Sequence, residues 1–185
     1  LTALQQLETM PIPVDTTNIE PTLESFMREG WQSADETEIQ AMAERFLPRL
    51  TPESQQACIN LLNDLSALRR LSLQSRATLS EPLVYCHHDA RQANIAWHPD
   101  HGTRLVDWSW ASLGEPGSHA TMFLIDLHKS GVNISNYLSH INKHHCLTLA
   151  GFWLNHATMP TRDDDDTVRF QQFVSALSAY ELLFD

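Results

Sequence analysis

Lysine is nearly missing from this chain. The first is Lys129, and Lys and Arg together number 12 against 23 Asp and Glu. The formal charge of −11 excludes a surface built on basic clusters, which is what nucleic acids and anionic membranes select. It suits a cationic small substrate, which an acidic cleft attracts. Cysteine is scarce as well. Cys58, Cys86 and Cys146 have no metal-ligand spacing, and 3 thiols make no even disulfide framework, so a reducing cytoplasm is the expected location. No apolar run approaches the roughly 20 residues of a membrane span. The opening Leu1-Thr2-Ala3-Leu4 carries no initiator Met, basic region or cleavage pattern, so no signal peptide is expected. No glycine-rich loop precedes residue 89.

What is present fits one compact domain. A length of 185 residues and a hydrophobic content of 42% suffice for a sizeable core. Leu1, Leu4 and Leu7 recur at helical spacing over residues 1–8, without any cap, as expected of a chain continuing from something longer. Pro11-Ile12-Pro13 ends that helix. Leu23, Phe26, Met27 and Trp31 predict a second from about Pro21. Ser33-Ala34-Asp35-Glu36 has the form of a capping box before Ile39, Met42, Phe46 and Leu50. Thr51-Pro52 opens the longest helix, with Cys58, Leu61, Leu62, Leu65 and Leu68 as its buried stripe. Later, Ser118 is placed to cap a helix carrying Phe123, Leu124 and Leu127 and stopped by Gly131. Another begins at Asn133, breaks near His144-His145 and resumes to Leu154. The acids Asp163 to Asp166 read as the solvated N-terminus of a last helix.

The centre is different. Val84-Tyr85-Cys86 reads as a strand, His87 to Asn94 as a polar loop, Ile95 to Trp97 as a strand, Pro99-Asp100-His101-Gly102 as a turn and Thr103 to Val106 as a strand. Residues 83 to 107 are expected to hold the only strands, which makes the fold class α+β, mostly α. Asp89, Asn94 and Asp107 fall at strand ends or in the connecting loop. Oxygen ligands without thiolates suit a hard cation such as Mg²⁺, which shares its shell with substrate phosphates. The site is therefore read as one for phosphoryl transfer. A metal phosphohydrolase would need a histidine well upstream, and His87 is the first. His144 and His145 are adjacent on a helix, so their rings point apart and do not make a metal site.

Cys86-His87-His88-Asp89, Asn94 five residues on, Asp107-Trp108 and Gly114-Glu115-Pro116 resemble the aminoglycoside phosphotransferase and choline-kinase branch of the protein-kinase-like fold. The resemblance is carried by residues 83 to 127. It implies that Asp89 is the catalytic base, that Asn94 and Asp107 hold Mg²⁺, and that Arg91 meets the transferred phosphate of ATP. It implies that His87 supports the loop through backbone hydrogen bonds. It further implies that residues 1–185 are the C-terminal lobe, with a small β-hairpin region carrying the catalytic loop, and that an N-terminal nucleotide lobe is a missing partner. Isolated, such a lobe is expected to be inactive.

Three positions depart from the branch. His88 stands where Gly is usual, Ser109 where an acid is common, and His119 where an Asp braces the catalytic loop. The function expected is transfer of the ATP γ-phosphate to a hydroxyl of a small molecule, with an aminoglycoside-like or choline-like cationic acceptor among the candidates and no nucleic-acid or membrane partner. The alternative is a non-catalytic kinase-like binding or scaffold module. Three retained acceptor side chains, Asp89, Asn94 and Asp107, favour the enzyme.

Overall fold

A computed structural model of the chain describes residues 1–11, 27, 29–75, 83–161 and 165–184. In chain order the elements are α1 (Thr2–Glu8), α2 (Gly30–Ser33), α3 (Glu36–Phe46), α4 (Pro52–Ser75), β1 (Val84–Cys86), β2 (Ile95–His98), β3 (Gly102–Leu105), β4 (Ser112–Gly114), α5 (Ser118–Lys129), α6 (Lys143–Thr158) and α7 (Thr167–Phe184). Short 3-10 turns lie at Leu47–Arg49, Gln92–Asn94, Trp108–Trp110 and Ser135–His140. The protein is a mostly helical α+β fold with small antiparallel sheets.

The chain divides into two compact units. One takes Leu1–Ser25 with Leu79–His145, the other Phe26–Thr78 with Cys146–Asp185. The second unit is helical throughout its described residues. Its core gathers Trp31, Ile39, Phe46, Leu61, Leu149, Leu154 and Phe173, all essentially inaccessible. Trp31 is fixed at both ends: its ring lies against Gly151, and its indole Nε1 donates to the Leu147 carbonyl at 2.8 Å. The buried N–H is thereby satisfied, as a core Trp requires.

Capping chemistry sets the helix starts. For α3 the cap is Asp35, not the predicted Ser33: its Oδ1 accepts from Thr37 N at 2.8 Å and Glu38 N at 3.1 Å. A carboxylate meets two of the orphan N–H groups and the positive end of the helix at once, which a serine hydroxyl does less well. Thr51 caps α4 as expected, accepting from Ser54 N at 3.3 Å. Helix α5 begins after Gly117, so Ser118 lies inside it instead of capping it. The expected break near His144 falls earlier, at Ile141 and Asn142, where Asn142 Oδ1 accepts from His145 N at 3.1 Å. The helix predicted from Pro21 lies largely outside the described residues, as do Asp163 and Asp164. Asp166 is not simply solvated: Arg45 and Arg49 grip it at 2.7 and 2.9 Å, and Arg49 lies 3.9 Å above the Phe170 ring.

The first unit holds the strands. β2 and β3 form the predicted hairpin, with Ile95 opposite Leu105 and His98 opposite Gly102. The expectation that strands end at residue 107 is wrong. β4 pairs antiparallel with β1, Val84 opposite Gly114 and Cys86 opposite Ser112. A strand of only three residues, Ser112–Gly114, shows too little alternation to stand out in sequence. The β1–β4 pair and the hairpin are separate two-stranded sheets, and the loop between β1 and β2 connects one to the other.

Candidate active site

That loop is built on its own backbone. Arg91 N donates to the Asp89 carbonyl, and Asn94 N to the Arg91 carbonyl, both at 2.9 Å. The Asn94 carbonyl in turn accepts from Val106 N at 3.0 Å, tying the loop to the end of β3. His87 is buried beneath it. Its Nε2 donates to the Val106 carbonyl at 2.9 Å while its Nδ1 accepts from Asp89 N at 3.3 Å. Those two bonds use the neutral imidazole with its proton on Nε2. His87 thus supports the loop through backbone groups, as the sequence implied.

His88 has φ 55°, in the left-handed region where glycine is the easy choice. This explains why a Gly is usual at the position. His is one of the few side chains tolerated there, so the departure changes the residue without changing the turn. The His88 ring is buried with its centroid 5.9 Å from that of His145.

Asp89 and Arg91 form a bidentate pair, Nε to Oδ1 at 2.5 Å and Nη2 to Oδ2 at 2.8 Å. Asn94 Nδ2 donates to the carbonyl of Asp89 at 2.9 Å and to its Oδ2 at 2.7 Å. With both N–H groups turned to residue 89, the amide oxygen of Asn94 faces the other way. Asp107 sits just past β3 with φ 59°, and its Oδ1 accepts from Ser109 Oγ at 2.6 Å. Ser109, the second departure, therefore orients Asp107. That hydroxyl, with the Ser109 backbone N–H and the nearby Arg91, holds the Asp107 carboxyl below its usual range. The Asp89 carboxylate raises the proton affinity of Arg91, which burial opposes and the fields of Asp126 and Asp107 reinforce. Asp89, Arg91, Asn94 and Asp107 thus belong to one neighbourhood.

The residues fit a hard cation only as part of a larger shell. Among the described residues no group of three or more His, Cys, Asp or Glu can hold a metal by itself. The Asn94 oxygen and the second oxygen of Asp107 would be the hard donors, and Mg²⁺ commonly takes its remaining ligands from water and phosphates.

Sequence reasoning missed the residues that brace this loop. Asp126 on α5 accepts the Gln92 N–H at 2.8 Å and pairs with Lys129 at 3.1 Å. Burial pushes its carboxyl up, but Gln92 and Lys129 outweigh that and leave it below the ordinary value. Gln92 Nε2 also donates to Ser130 Oγ at 2.8 Å. The available signal was one acid in the otherwise apolar run Met122 to Leu127, read only for its hydrophobic residues.

His119 does not take over the bracing. Fully buried, it places Nε2 3.1 Å from Glu8 Oε1. Glu8 Oε1 also accepts from Gly117 N at 2.7 Å. The carboxylate at this corner comes from α1, and it ties α1 to the start of α5. Burial raises the Glu8 proton affinity, but His119 and the Gly117 N–H bring the net value below the usual one.

Two carboxylates, an amide and a guanidinium gathered around one short loop of a mostly helical α+β protein suit the class of proteins that handle phosphoryl groups. The family model of the APH phosphotransferase enzyme family matches residues 1–131. The chain belongs to that family. No curated protein matches the sequence.

Proposed function

We propose that this chain is the catalytic-loop lobe of a small-molecule kinase, moving the γ-phosphoryl group of ATP to a hydroxyl of a small acceptor. In that reading residues 1–185 are the C-terminal lobe, and a nucleotide-covering lobe is their partner. Asp89 takes the proton of the acceptor hydroxyl as the new oxygen–phosphorus bond forms. The bond from phosphorus to the bridging oxygen breaks, and its electron pair leaves on the nucleoside diphosphate. Asn94 and Asp107 would hold Mg²⁺, which neutralises charge on the phosphates when bound. Arg91 offers its planar fork to the phosphate oxygens.

The observation that carries this reading is the Asn94 amide. One side chain clamps Asp89 through its nitrogen, which turns its oxygen away from that carboxylate and supports a reading in which the same residue steadies the base and would serve as a metal donor. Family membership supports phosphotransfer in general. The acidic balance of the chain supports a cationic acceptor.

The test is Mg²⁺-dependent nucleotide binding, followed by transfer to a panel of aminoglycoside, choline-like, sugar, thiamine and macrolide acceptors with the nucleotide lobe present. Binding that needs Mg²⁺ and weakens in N94A and D107A is the expected result. No Mg²⁺-dependent binding in any form would leave the scaffold module as the better account.

A further inference from the structure

The carboxylate that the proposed reaction needs as a proton acceptor already accepts three N–H groups. Arg91 Nε holds Oδ1, and Oδ2 receives both Arg91 Nη2 and Asn94 Nδ2. A bidentate guanidinium–carboxylate pair is among the strongest side-chain contacts, and the Asp89 side chain is only 15% exposed. A hydroxyl approaching Asp89 would meet a carboxylate with about three of its four lone-pair positions taken and its charge shared with the guanidinium. The two partners differ in freedom. Asp89 is clamped by Asn94 through both its carbonyl and its carboxylate. The Arg91 side chain is 44% exposed and also feels Asp107 and Asp126, so its guanidinium has other negative groups within reach. Its backbone N–H stays on the Asp89 carbonyl, which leaves side-chain rotation as the way to separate the pair.

We propose that Arg91 is a latch on Asp89, closed when no phosphate is bound and opened by the polyphosphate of the donor. Resting on the phosphotransfer reading above, this assigns Arg91 a second role, the regulation of the base by the donor. A polyphosphate presents the same two-oxygen face as a carboxylate but carries more charge, so it competes for the guanidinium. Once the fork moves, Oδ1 is open to the acceptor hydroxyl, while Asn94 keeps Oδ2 and the carboxylate plane in place. The reaction then has a built-in order. The donor arrives first, and the base becomes available only where a phosphoryl group is present to be transferred.

The latch makes Asp89 and phosphate competitors for one side chain, and this is measurable without turnover. The experiment titrates inorganic triphosphate with Mg²⁺ into the chain with its nucleotide lobe present and follows the Arg91 Nε–H and backbone amides by ¹H–¹⁵N NMR. The Nε–H resonance of Arg91 is expected to move on titration. Asp89→Asn removes the competing charge and is expected to tighten triphosphate binding about ten-fold, while Arg91→Gln weakens it by about as much, each the order of one charge-assisted hydrogen bond. A purely structural Arg91–Asp89 pair predicts an unmoved Arg91 Nε–H, and a gain for Asp89→Asn no larger than the loss of any one negative charge from the same neighbourhood gives. If that variant does not fold, the wild-type Arg91 resonance decides. Shifts at Asn94 and Asp107 with an unmoved Arg91 Nε–H would overturn the latch and leave the phosphate site standing. No shift at any of these positions would overturn both.

Discussion

At the scale of single residues, the site is a set of hydrogen bonds that each give one atom one task. Asp89 follows from this most directly. Asp89→Asn keeps the shape and still accepts from Arg91 and Asn94 through one oxygen, but it cannot take a proton. Turnover of the proposed two-lobe enzyme should fall by about 10² to 10⁴, the usual contribution of a positioned general base, in protein that urea unfolding shows to be folded under the assay conditions. Turnover close to wild type would remove Asp89 from the mechanism. Glu8 makes a different prediction. Its folded proton affinity lies below the ordinary carboxylate value of 4.5. Its stabilising effect is therefore complete above that pH and is lost as pH falls through the lower folded value. Glu8→Gln should cost about 1 kcal/mol at pH 7, the order of one net hydrogen bond, and the cost should shrink towards pH 3. Urea unfolding at both pH values measures it, and a gap independent of pH would assign the effect to packing alone. Neither Glu8 nor Asp126 was legible in the sequence. Each works through a partner distant in the chain, 109 residues from Glu8 to Gly117 and 34 from Asp126 to Gln92, and no local pattern encodes such a pairing. That Asp89, Asn94 and Asp107 fall in one neighbourhood was legible because each lies at a strand end or in the short loop between strands, a local pattern.

At the scale of elements, the helices were readable because leucine stripes and proline starts repeat over several turns. The long α4, with Thr51 and Pro52 at its head and Cys58, Leu61, Leu65 and Leu68 buried, is the clearest case. Short elements were not. The strand β4 and the 3-10 turn at Ser135–His140 are three and six residues long, fewer than a hydrophobic period needs to declare itself. Their conformation is fixed by partners, Val84 to Cys86 in one case. The contact between α2 and α6 was equally hidden, because it depends on what two glycines lack. A Cβ on Gly30 would come within 2.5 Å of the Gly151 backbone, and one on Gly151 would enter the Trp31 ring. Gly151→Ala is then a contest between two effects. Helix propensity favours alanine by about 1 kcal/mol, and overpacking costs about 1–3 kcal/mol or more. Because Trp31 is buried and held through its indole to Leu147, it cannot yield cheaply, and the steric cost should win. The expected outcome is a lower thermal midpoint by about 2–4 °C per kcal/mol for a protein of this size. An unchanged or raised midpoint would mean that Trp31 moves aside freely.

At the scale of the whole molecule, charge is the property that acts at a distance. Twelve cationic residues against 23 acidic ones set a negative field in which any acceptor must diffuse, and the proposed site repeats that sign locally. Asp89, Asp107 and Asp126 carry three negative charges near Arg91 and Lys129, so the neighbourhood is net negative before any phosphate arrives. Two charged ligands should therefore respond to this field in opposite ways. A polyphosphate donor is repelled by it and depends on Mg²⁺ and Arg91 for compensation, whereas a cationic acceptor is drawn in. Salt weakens both effects, since the screening length drops from about 10 Å at 0.1 M to about 3 Å at 1 M. If the acceptor is an amine, its kcat/KM in the two-lobe enzyme should fall about ten-fold across that range, at the low end of electrostatic steering. A neutral sugar measured beside it should change little. The comparison isolates charge from any general effect of salt on the enzyme, because both acceptors meet the same protein in the same buffer. Equal slopes for the amine and the sugar would show that the acidic balance serves solubility alone, and the acceptor would then have to be sought among uncharged alcohols.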